Sequence, residues 1–136
     1  MTTFLILLFF SIFLFPGCNE EPNFVQSGKA SFYSDKFEGE LTTSEEVFSQ
    51  DKMTAAHKHL PMGTKIKVLN EEQENSVEVR INDRGPFAEG RIIDLSKKAW
   101  ERLGLDEDDG LAQVTIKARI DEEKARSLKE ELESVK

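Results

Sequence analysis

Cysteine is nearly absent from this sequence, and basic residues are in the minority. Cys18 is the only cysteine among 136 residues, so a disulfide within the chain is excluded. The 18 Lys and Arg face 26 Asp and Glu, which gives a formal net charge of −8. Nucleic acids and anionic lipid surfaces are bound by clustered Lys and Arg. The charge balance therefore argues against a nucleic-acid partner and against a basic membrane-binding patch.

Histidine is also scarce, which limits the metal chemistry that is available. His57 and His59 are the only two histidines. Their spacing would place both imidazoles on one side of a strand, an arrangement that suits a metal. The sequence supplies no further histidine or neighbouring cysteine to complete a coordination shell. We therefore predict no metal site and no cofactor.

Long apolar runs are confined to the N-terminus. Residues 4–15 are apolar except for Ser11, a length that matches a signal-peptide core and is short for a membrane span. The run leads to Gly17 and Cys18, which resembles a bacterial lipobox, where the cysteine is lipidated after cleavage behind the glycine. An uncleaved hydrophobic anchor is the alternative. Both interpretations predict a membrane-tethered protein of the cell envelope, most simply on the periplasmic face of the outer membrane.

The remainder of the chain has the pattern of a small β domain with one internal helix. Apolar and polar residues alternate in four segments, which predicts half-buried strands. Ser96 can N-cap a helix that Gly104 ends, with three apolar residues facing the core. These features predict a compact, mainly β barrel over residues 28–120, preceded by a signal peptide at 1–17 and a tether at 18–27. The predicted strands are 28–33, 65–68, 76–81 and 113–120, and the inward residues of the helix are Ala99, Trp100 and Leu103.

The C-terminal segment, residues 121–136, has a different pattern. Ala125, Leu128, Leu132 and Val135 recur at helical spacing among many charges, which predicts an amphipathic helix with a narrow apolar stripe. Such a stripe packs on its own domain, stays solvated, or binds a partner protein. The sequence leaves these alternatives open.

Three segments contain more polar side chains than a barrel needs for folding. They are TTSEEVF at 42–48, MTAAHKHLP at 53–61 and NDRGPF at 82–87. A surface turn requires Gly, Pro and one Asn or Asp. It does not require an amide, a carboxylate and a guanidinium directly before a Gly-Pro corner. The excess indicates a functional site at these loops.

The order and spacing of these segments resemble the domain of the rare lipoprotein A family. The matching stretches are GKASFYSDKFEGELTTSEEVF, MTAAHKHLPMGTKIKVLN and VEVRINDRGPFAEGRIIDLSKKAWERLG. They extend over residues 28–120, essentially the whole globular part. The resemblance implies a six-stranded double-psi β-barrel with one or two short helices. It also implies lytic transglycosylase activity on peptidoglycan, the activity of the enzymatically active members.

The resemblance also implies which residues form the site. The glutamate of the family falls on Glu46, its histidine on His57 and its aspartate on Asp83, and we predict these three as catalytic. Glycosidic cleavage needs a carboxylic acid that protonates the leaving oxygen, so we expect a raised pKa at Asp83. Glu46 would stabilise positive charge at the anomeric carbon, and His57 would orient a carboxylate. Predicted substrate-binding residues are Tyr33, Asn82, Arg84 and Ser49.

Structural interpretations of the same residues remain open. Asp83 and Arg84 can pair at the surface, where such a pair stabilises little. His57 can hold backbone groups, and Glu46 can be an exposed charge. The chain also departs from the family at the site, where Ser49 replaces an aspartate, Glu45 and Ser34 each replace a glycine, and Thr43 replaces an alanine. A non-catalytic peptidoglycan-binding protein that organises the envelope is therefore the alternative function.

Overall fold

The structure is a computed structural model that describes residues 21–136. The predicted signal peptide and the predicted lipid site Cys18 lie outside the described residues. Within them, two helices accompany a barrel of six strands, and two short 3₁₀ turns follow β1 and α1. The strands are β1 (Phe24–Phe32), β2 (Thr54–Ala56), β3 (Lys65–Asn70), β4 (Ser76–Asp83), β5 (Arg91–Leu95) and β6 (Ala112–Ala118), and the helices are α1 (Lys97–Arg102) and α2 (Glu122–Ser134).

The six strands close on themselves in the order β1-β5-β2-β4-β3-β6. Two neighbouring pairs, β1 with β5 and β2 with β4, are parallel, and the other four pairs are antiparallel. Closure leaves no free sheet edge. The mainly β architecture with one short internal helix and a C-terminal helix, predicted from the sequence, is confirmed.

Alternation along the longer strands fills the barrel interior. Trp100 of α1 is also fully buried, and its indole N–H donates a 2.7 Å hydrogen bond to the carbonyl of Asp106. Burial of each Val or Ile side chain stabilises the fold by about 1.5–3 kcal/mol. The strand residues with 1 % exposure or less include Ile66, Val68, Val79, Ile81, Val114 and Ile116.

Strand β1 starts earlier than the sequence predicts. Phe24 pairs with Ala118 of β6, and the N–H of Asn23 donates a 3.1 Å hydrogen bond to the Ala118 carbonyl. Residues 24–27, predicted as part of the tether, therefore belong to the barrel. The sequence also gave no separate prediction for β2 and β5. All three residues of β2 are buried, so this strand has no alternation to detect.

Both helices follow their sequence patterns. The Ser96 hydroxyl accepts a 3.3 Å hydrogen bond from the N–H of Ala99 at the start of α1, and Gly104 has a φ of +78° just beyond its end. In α2, Ala125 and Leu128 are buried against the barrel, whereas Val135, directly after the helix, is 81 % exposed. The first part of the apolar stripe thus packs on its own domain. No helix within residues 21–136 is both long and apolar enough to cross a membrane.

Candidate active site

A tight loop of residues 40–48, here called the 40–48 loop, contains Thr43 and Glu45, two of the four departures from the family pattern. Its ends are joined by a bridge between Leu41 and Val47 and by a 2.8 Å hydrogen bond from the Thr42 N–H to the Glu46 carbonyl. A further bond, 3.2 Å from the Ser44 N–H to the Asn82 carbonyl, fixes the loop to the end of β4. This docking brings loop side chains to the NDRGPF segment.

Asp83 accepts four hydrogen bonds where β4 ends. Its Oδ1 accepts from the Thr43 N–H at 2.9 Å, from the Thr43 hydroxyl at 2.7 Å and from the Arg84 N–H at 2.9 Å. Its Oδ2 accepts from the Tyr33 hydroxyl at 2.7 Å. Partial burial opposes ionisation, but these donors outweigh it and hold the pKa of Asp83 below its ordinary value. The predicted rise in the pKa of Asp83 is therefore wrong, because all four donors stabilise the charged form of the carboxyl group.

Glu46 lies in the same loop and is paired with two residues of β4. Its carboxylate forms a bidentate ion pair with Arg80 at 2.6 and 2.8 Å and accepts a 3.2 Å hydrogen bond from the Asn82 amide. Side chains two residues apart on a strand point the same way, so β4 presents both donors to one side. The hydrogen bonds from Arg80 hold the pKa of Glu46 below its ordinary value, and both carboxylates are thus ionised at neutral pH.

His57 is almost completely buried and holds the backbone of its own loop. Its Nδ1 accepts from the N–H groups of His59 at 3.0 Å and Leu60 at 3.1 Å. Because Nδ1 accepts, Nε2 carries the proton and donates to Oε1 of Gln26 at 2.8 Å. Burial lowers the pKa of His57 to about 3, so the ring is neutral. The expected hydrogen bond to a carboxylate is absent between His57 and the described acidic residues; Gln26 and the loop backbone take its place.

Arg84 also acts on this loop. Its guanidinium donates to the carbonyls of His57 at 3.1 Å and Leu60 at 2.7 Å, and the His57 N–H donates to the Asp83 carbonyl at 3.1 Å. His57 and Arg84 therefore brace the backbone that carries Asp83. Asn82 is 2 % exposed, and its Oδ1 accepts no hydrogen bond from any residue in the range 21–136.

Tyr33 lies beneath Asp83 and not in an open groove. It is 8 % exposed, stacks on Phe48 with ring centroids 4.3 Å apart and meets Phe37 edge to face. Burial and the neighbouring Asp83 raise the pKa of its phenol, so the hydroxyl stays protonated and donates. Its face is covered by Phe48, so the geometry supports positioning of Asp83 more directly than stacking on a sugar.

Ser49 takes part in a local turn. Its hydroxyl accepts a 3.2 Å hydrogen bond from the N–H of Asp51, and its carbonyl accepts one of 3.3 Å from the N–H of Lys52. The hydroxyl supplies no charge where the family has a carboxylate. A role for Ser49 in substrate binding stays a prediction.

Two partners of the carboxylates were missed by sequence reasoning. Thr43 was noted only as a departure from the family, and Arg80 only as a strand residue. Alternation in β4 could have indicated that Arg80 shares a side with Asn82; no pattern could have indicated the contact of Thr43 with Asp83, because the two are 40 residues apart. Three exposed apolar side chains near the site were also missed. Leu41 and Val47 of the 40–48 loop are 70 % and 55 % exposed, and Phe87 of the NDRGPF segment is 83 % exposed.

The chemistry that this arrangement supports follows from its charges. Two ionised carboxylates, Asp83 and Glu46, are held by fixed donors on a partly exposed surface. Such groups stabilise a developing positive charge or accept a proton, as in glycosidic cleavage with its oxocarbenium-like transition state. Within residues 21–136, no group of three or more His, Cys, Asp or Glu side chains has a geometry that could hold a metal ion.

Comparison with protein families gives a match over residues 25–116 to the family described as lytic transglycolase. The endolytic peptidoglycan transglycosylase RlpA of Vibrio cholerae is 51 % identical over 82 residues, which cover 60 % of this chain and 31 % of the relative. The protein of the same name from Haemophilus influenzae is 44 % identical over 100 residues, covering 74 % and 34 %. The chain thus spans about a third of the length of these curated relatives.

Two solved structures show the same fold. The Streptomyces papain inhibitor superposes with a TM-score of 0.56 at 19 % identity, covering 73 % of this chain and 97 % of the inhibitor. The apo expansin of Clavibacter michiganensis superposes with a TM-score of 0.55 at 22 % identity, covering 71 % and 52 %. Together with the family match, they confirm the predicted double-psi β-barrel.

Proposed function

Because the chain belongs to the lytic transglycolase family, as a double-psi barrel of the rare lipoprotein A type, we propose that it cleaves the glycan strands of peptidoglycan endolytically. The bond is the β-1,4 linkage from N-acetylmuramic acid to N-acetylglucosamine, and the product is a 1,6-anhydromuramic end. The observation that carries the proposal is the carboxylate of Asp83, held by four hydrogen bonds at the end of β4. Curated relatives that match this domain have the same activity in their names.

The reaction needs one carboxyl group and no water. Protonated Asp83 gives its proton to the leaving O4 as the bond from C1 to O4 breaks. The 6-hydroxyl of the same muramic acid then attacks C1, and its proton passes to the Asp83 carboxylate, which restores the acid. Since the pKa of Asp83 is lowered, its protonated fraction is small at neutral pH and grows as the pH falls. We therefore expect cleavage to become faster between pH 7 and pH 5.

The other site residues support this step in the proposal. Ionised Glu46 stabilises the positive charge at C1, and buried Asn82 helps to hold that carboxylate through the 3.2 Å hydrogen bond from its side-chain amide. Phe87 is exposed directly after the Gly-Pro corner and offers an apolar face to a sugar ring. His57 and Arg84 act through the backbone of the loop that they brace.

The deciding experiment is a digest of purified peptidoglycan by the full chain in detergent, with the products identified by mass spectrometry. Wild-type protein should release anhydromuramyl ends, and Asp83→Asn should release none. Asparagine retains an oxygen for the Thr43 and Arg84 donors, so the variant should stay folded. Asp108→Asn, in the 3₁₀ turn Glu107–Asp109, is the matched control and should cleave like wild type. Cleavage by Asp83→Asn would reject the assigned mechanism.

A non-catalytic peptidoglycan-binding role is the second candidate. The observation that favours it is the full pairing of both carboxylates, Asp83 with four donors and Glu46 with Arg80 and Asn82. Ser49 adds no third carboxylate. Retention of wild-type protein on insoluble peptidoglycan without any anhydromuramyl product would support this role against the enzyme.

Attachment to the membrane and a protein partner complete the proposal. A lipid on Cys18 would keep the barrel close to the cell wall at the periplasmic face of the outer membrane. Incorporation of labelled palmitate into wild type but not into Cys18→Ser tests the anchor. The surface for a partner is at the C-terminal end of α2, where the next residue, Val135, is 81 % exposed. Loss of a cross-linked complex in Val135→Arg tests it.

A further inference from the structure

Thr43 is an exposed threonine whose side chain contacts the carboxylate of Asp83. Its hydroxyl donates a 2.7 Å hydrogen bond to Oδ1, beside a 2.9 Å bond from its own N–H to the same oxygen. The backbone bond is open to any residue except proline at this place. The hydroxyl bond is specific to the side chain, and alanine, the residue that is common here in the family, cannot form it.

We infer that Thr43 is a positioning residue that holds Asp83 in its ionised, hydrogen-bond-accepting form and so slows cleavage at neutral pH. This inference rests on the proposed function for its consequence in cleavage, though not for its effect on the carboxyl group. The hydrogen bond from the Thr43 hydroxyl is stronger when Asp83 is an ionised carboxylate than when it is a neutral carboxyl group, because the acceptor is then negatively charged. The hydroxyl therefore stabilises the charged form selectively.

The surroundings of Asp83 make this contribution separable from the others. Tyr33 donates to the other oxygen, Oδ2, and the N–H groups of Thr43 and Arg84 remain whatever side chain stands at residue 43. Thr43 is exposed, so its replacement by a side chain of the same shape leaves no cavity. Removal of one hydroxyl thus changes one of four donors.

Thr43→Val removes the hydroxyl and keeps the branched shape. We expect the titration midpoint of the Asp83 carboxyl group to move to higher pH. The measurement is carbon NMR of the carboxyl carbon on the full chain in detergent micelles, with the signal assigned by its loss in Asp83→Asn. A larger protonated fraction of Asp83 should speed cleavage about fivefold at pH 7. A change of this size is expected for the loss of one hydrogen bond to a charged group, because exposure to solvent weakens that bond. Thr43→Ser keeps a hydroxyl and should therefore have the same titration midpoint and pH profile as the wild type.

Thr64→Val is the matched control, because it removes a hydroxyl that donates to the Pro61 carbonyl at 2.6 Å, outside the acidic site. An unchanged Asp83 midpoint in Thr43→Val, or an equal shift in Thr64→Val, would overturn the inference. If wild type cleaves no glycan but the midpoint moves only in Thr43→Val, the inference stands and the proposed function fails. If wild type cleaves and the midpoint does not move, the proposed function stands and the inference fails.

Discussion

The hydroxyl of Tyr33 donates a 2.7 Å hydrogen bond to Oδ2 of Asp83, which ties the site carboxylate to an aromatic cluster below it. Tyr33 stacks on Phe48, and together with Ala56 these residues form a small buried cluster separate from the main barrel core. The carboxylate is therefore held from beneath by a rigid ring and from the side by the 40–48 loop. Its orientation depends on packing as much as on its own strand.

Tyr33→Phe should keep the stacked cluster and remove only the hydroxyl. We expect the free energy of unfolding at pH 7 to fall by about 1–2 kcal/mol, since the lost hydrogen bond has an ionised acceptor that is partly buried. In the Asp83→Asn background the same substitution should cost less. Urea denaturation of the four proteins of this double-mutant cycle measures the difference, and equal losses in both backgrounds would contradict a coupling between the two side chains.

His57 should make the protein less stable as the pH falls. Its pKa is about 3 in the folded protein against an ordinary 6.5, so the unfolded chain binds a proton first and stability is lost below pH 6.5. The loss should approach about 4 kcal/mol by pH 3. His57→Asn retains an acceptor but does not titrate, so its stability should vary less between pH 7 and pH 5. An identical pH dependence for both proteins would show that His57 is not responsible.

Glu45 has a φ of +66°, a left-handed conformation that disfavours side chains with a Cβ atom. Glu45→Gly should relieve this cost, partly offset by the greater freedom of glycine in the unfolded chain. We expect a net stabilisation of about 0.5–1 kcal/mol, measured by denaturant unfolding. Glu45→Ala removes the charge and keeps the strain, so a gain of equal size there would assign the effect to charge.

Glu46 and Arg80 have half-exposed side chains, with 36 % and 35 % exposure, so their ion pair is screened by solvent. Glu46→Gln should therefore cost less than about 1 kcal/mol in unfolding free energy. If Glu46 stabilises charge in the transition state, kcat should fall at least about tenfold. Glu45→Gln, next along the chain and exposed, is the control and should cleave normally. Equal rates for all three proteins would remove Glu46 from the mechanism.

Phe87 is 83 % exposed directly after the Gly85-Pro86 corner, which suits a contact with substrate and contributes little to the core. Phe87→Ser should leave the melting temperature unchanged and raise the KM for soluble glycan fragments about fivefold, as expected for loss of one apolar contact. Leu111→Ser, at another exposed apolar residue, should change neither quantity. A fall in kcat without a change in KM would place Phe87 in the reaction step and not in binding.

Sequence patterns predicted much of this protein because the relevant physics is local. Alternation located the four longer strands, since a barrel wall buries every second side chain. The internal helix was marked by the N-cap at Ser96 and by the glycine at residue 104, because both act on the backbone of the adjacent helical turn. Strand β2 could not be found in this way, because a strand buried on both faces has no alternation.

The residues of the site were also visible in the sequence, as an excess of polar groups before a Gly-Pro corner and by resemblance to a family. What they do to one another was not. The lowered pKa of Asp83 depends on Thr43 and Tyr33, which lie 40 and 50 residues away along the chain. Closure of the barrel and docking of the 40–48 loop on β4 bring these donors to the carboxylate. Sequence therefore determined the fold and the candidate residues, whereas the charge state of the site was decided by contacts between distant segments, which only tertiary structure creates.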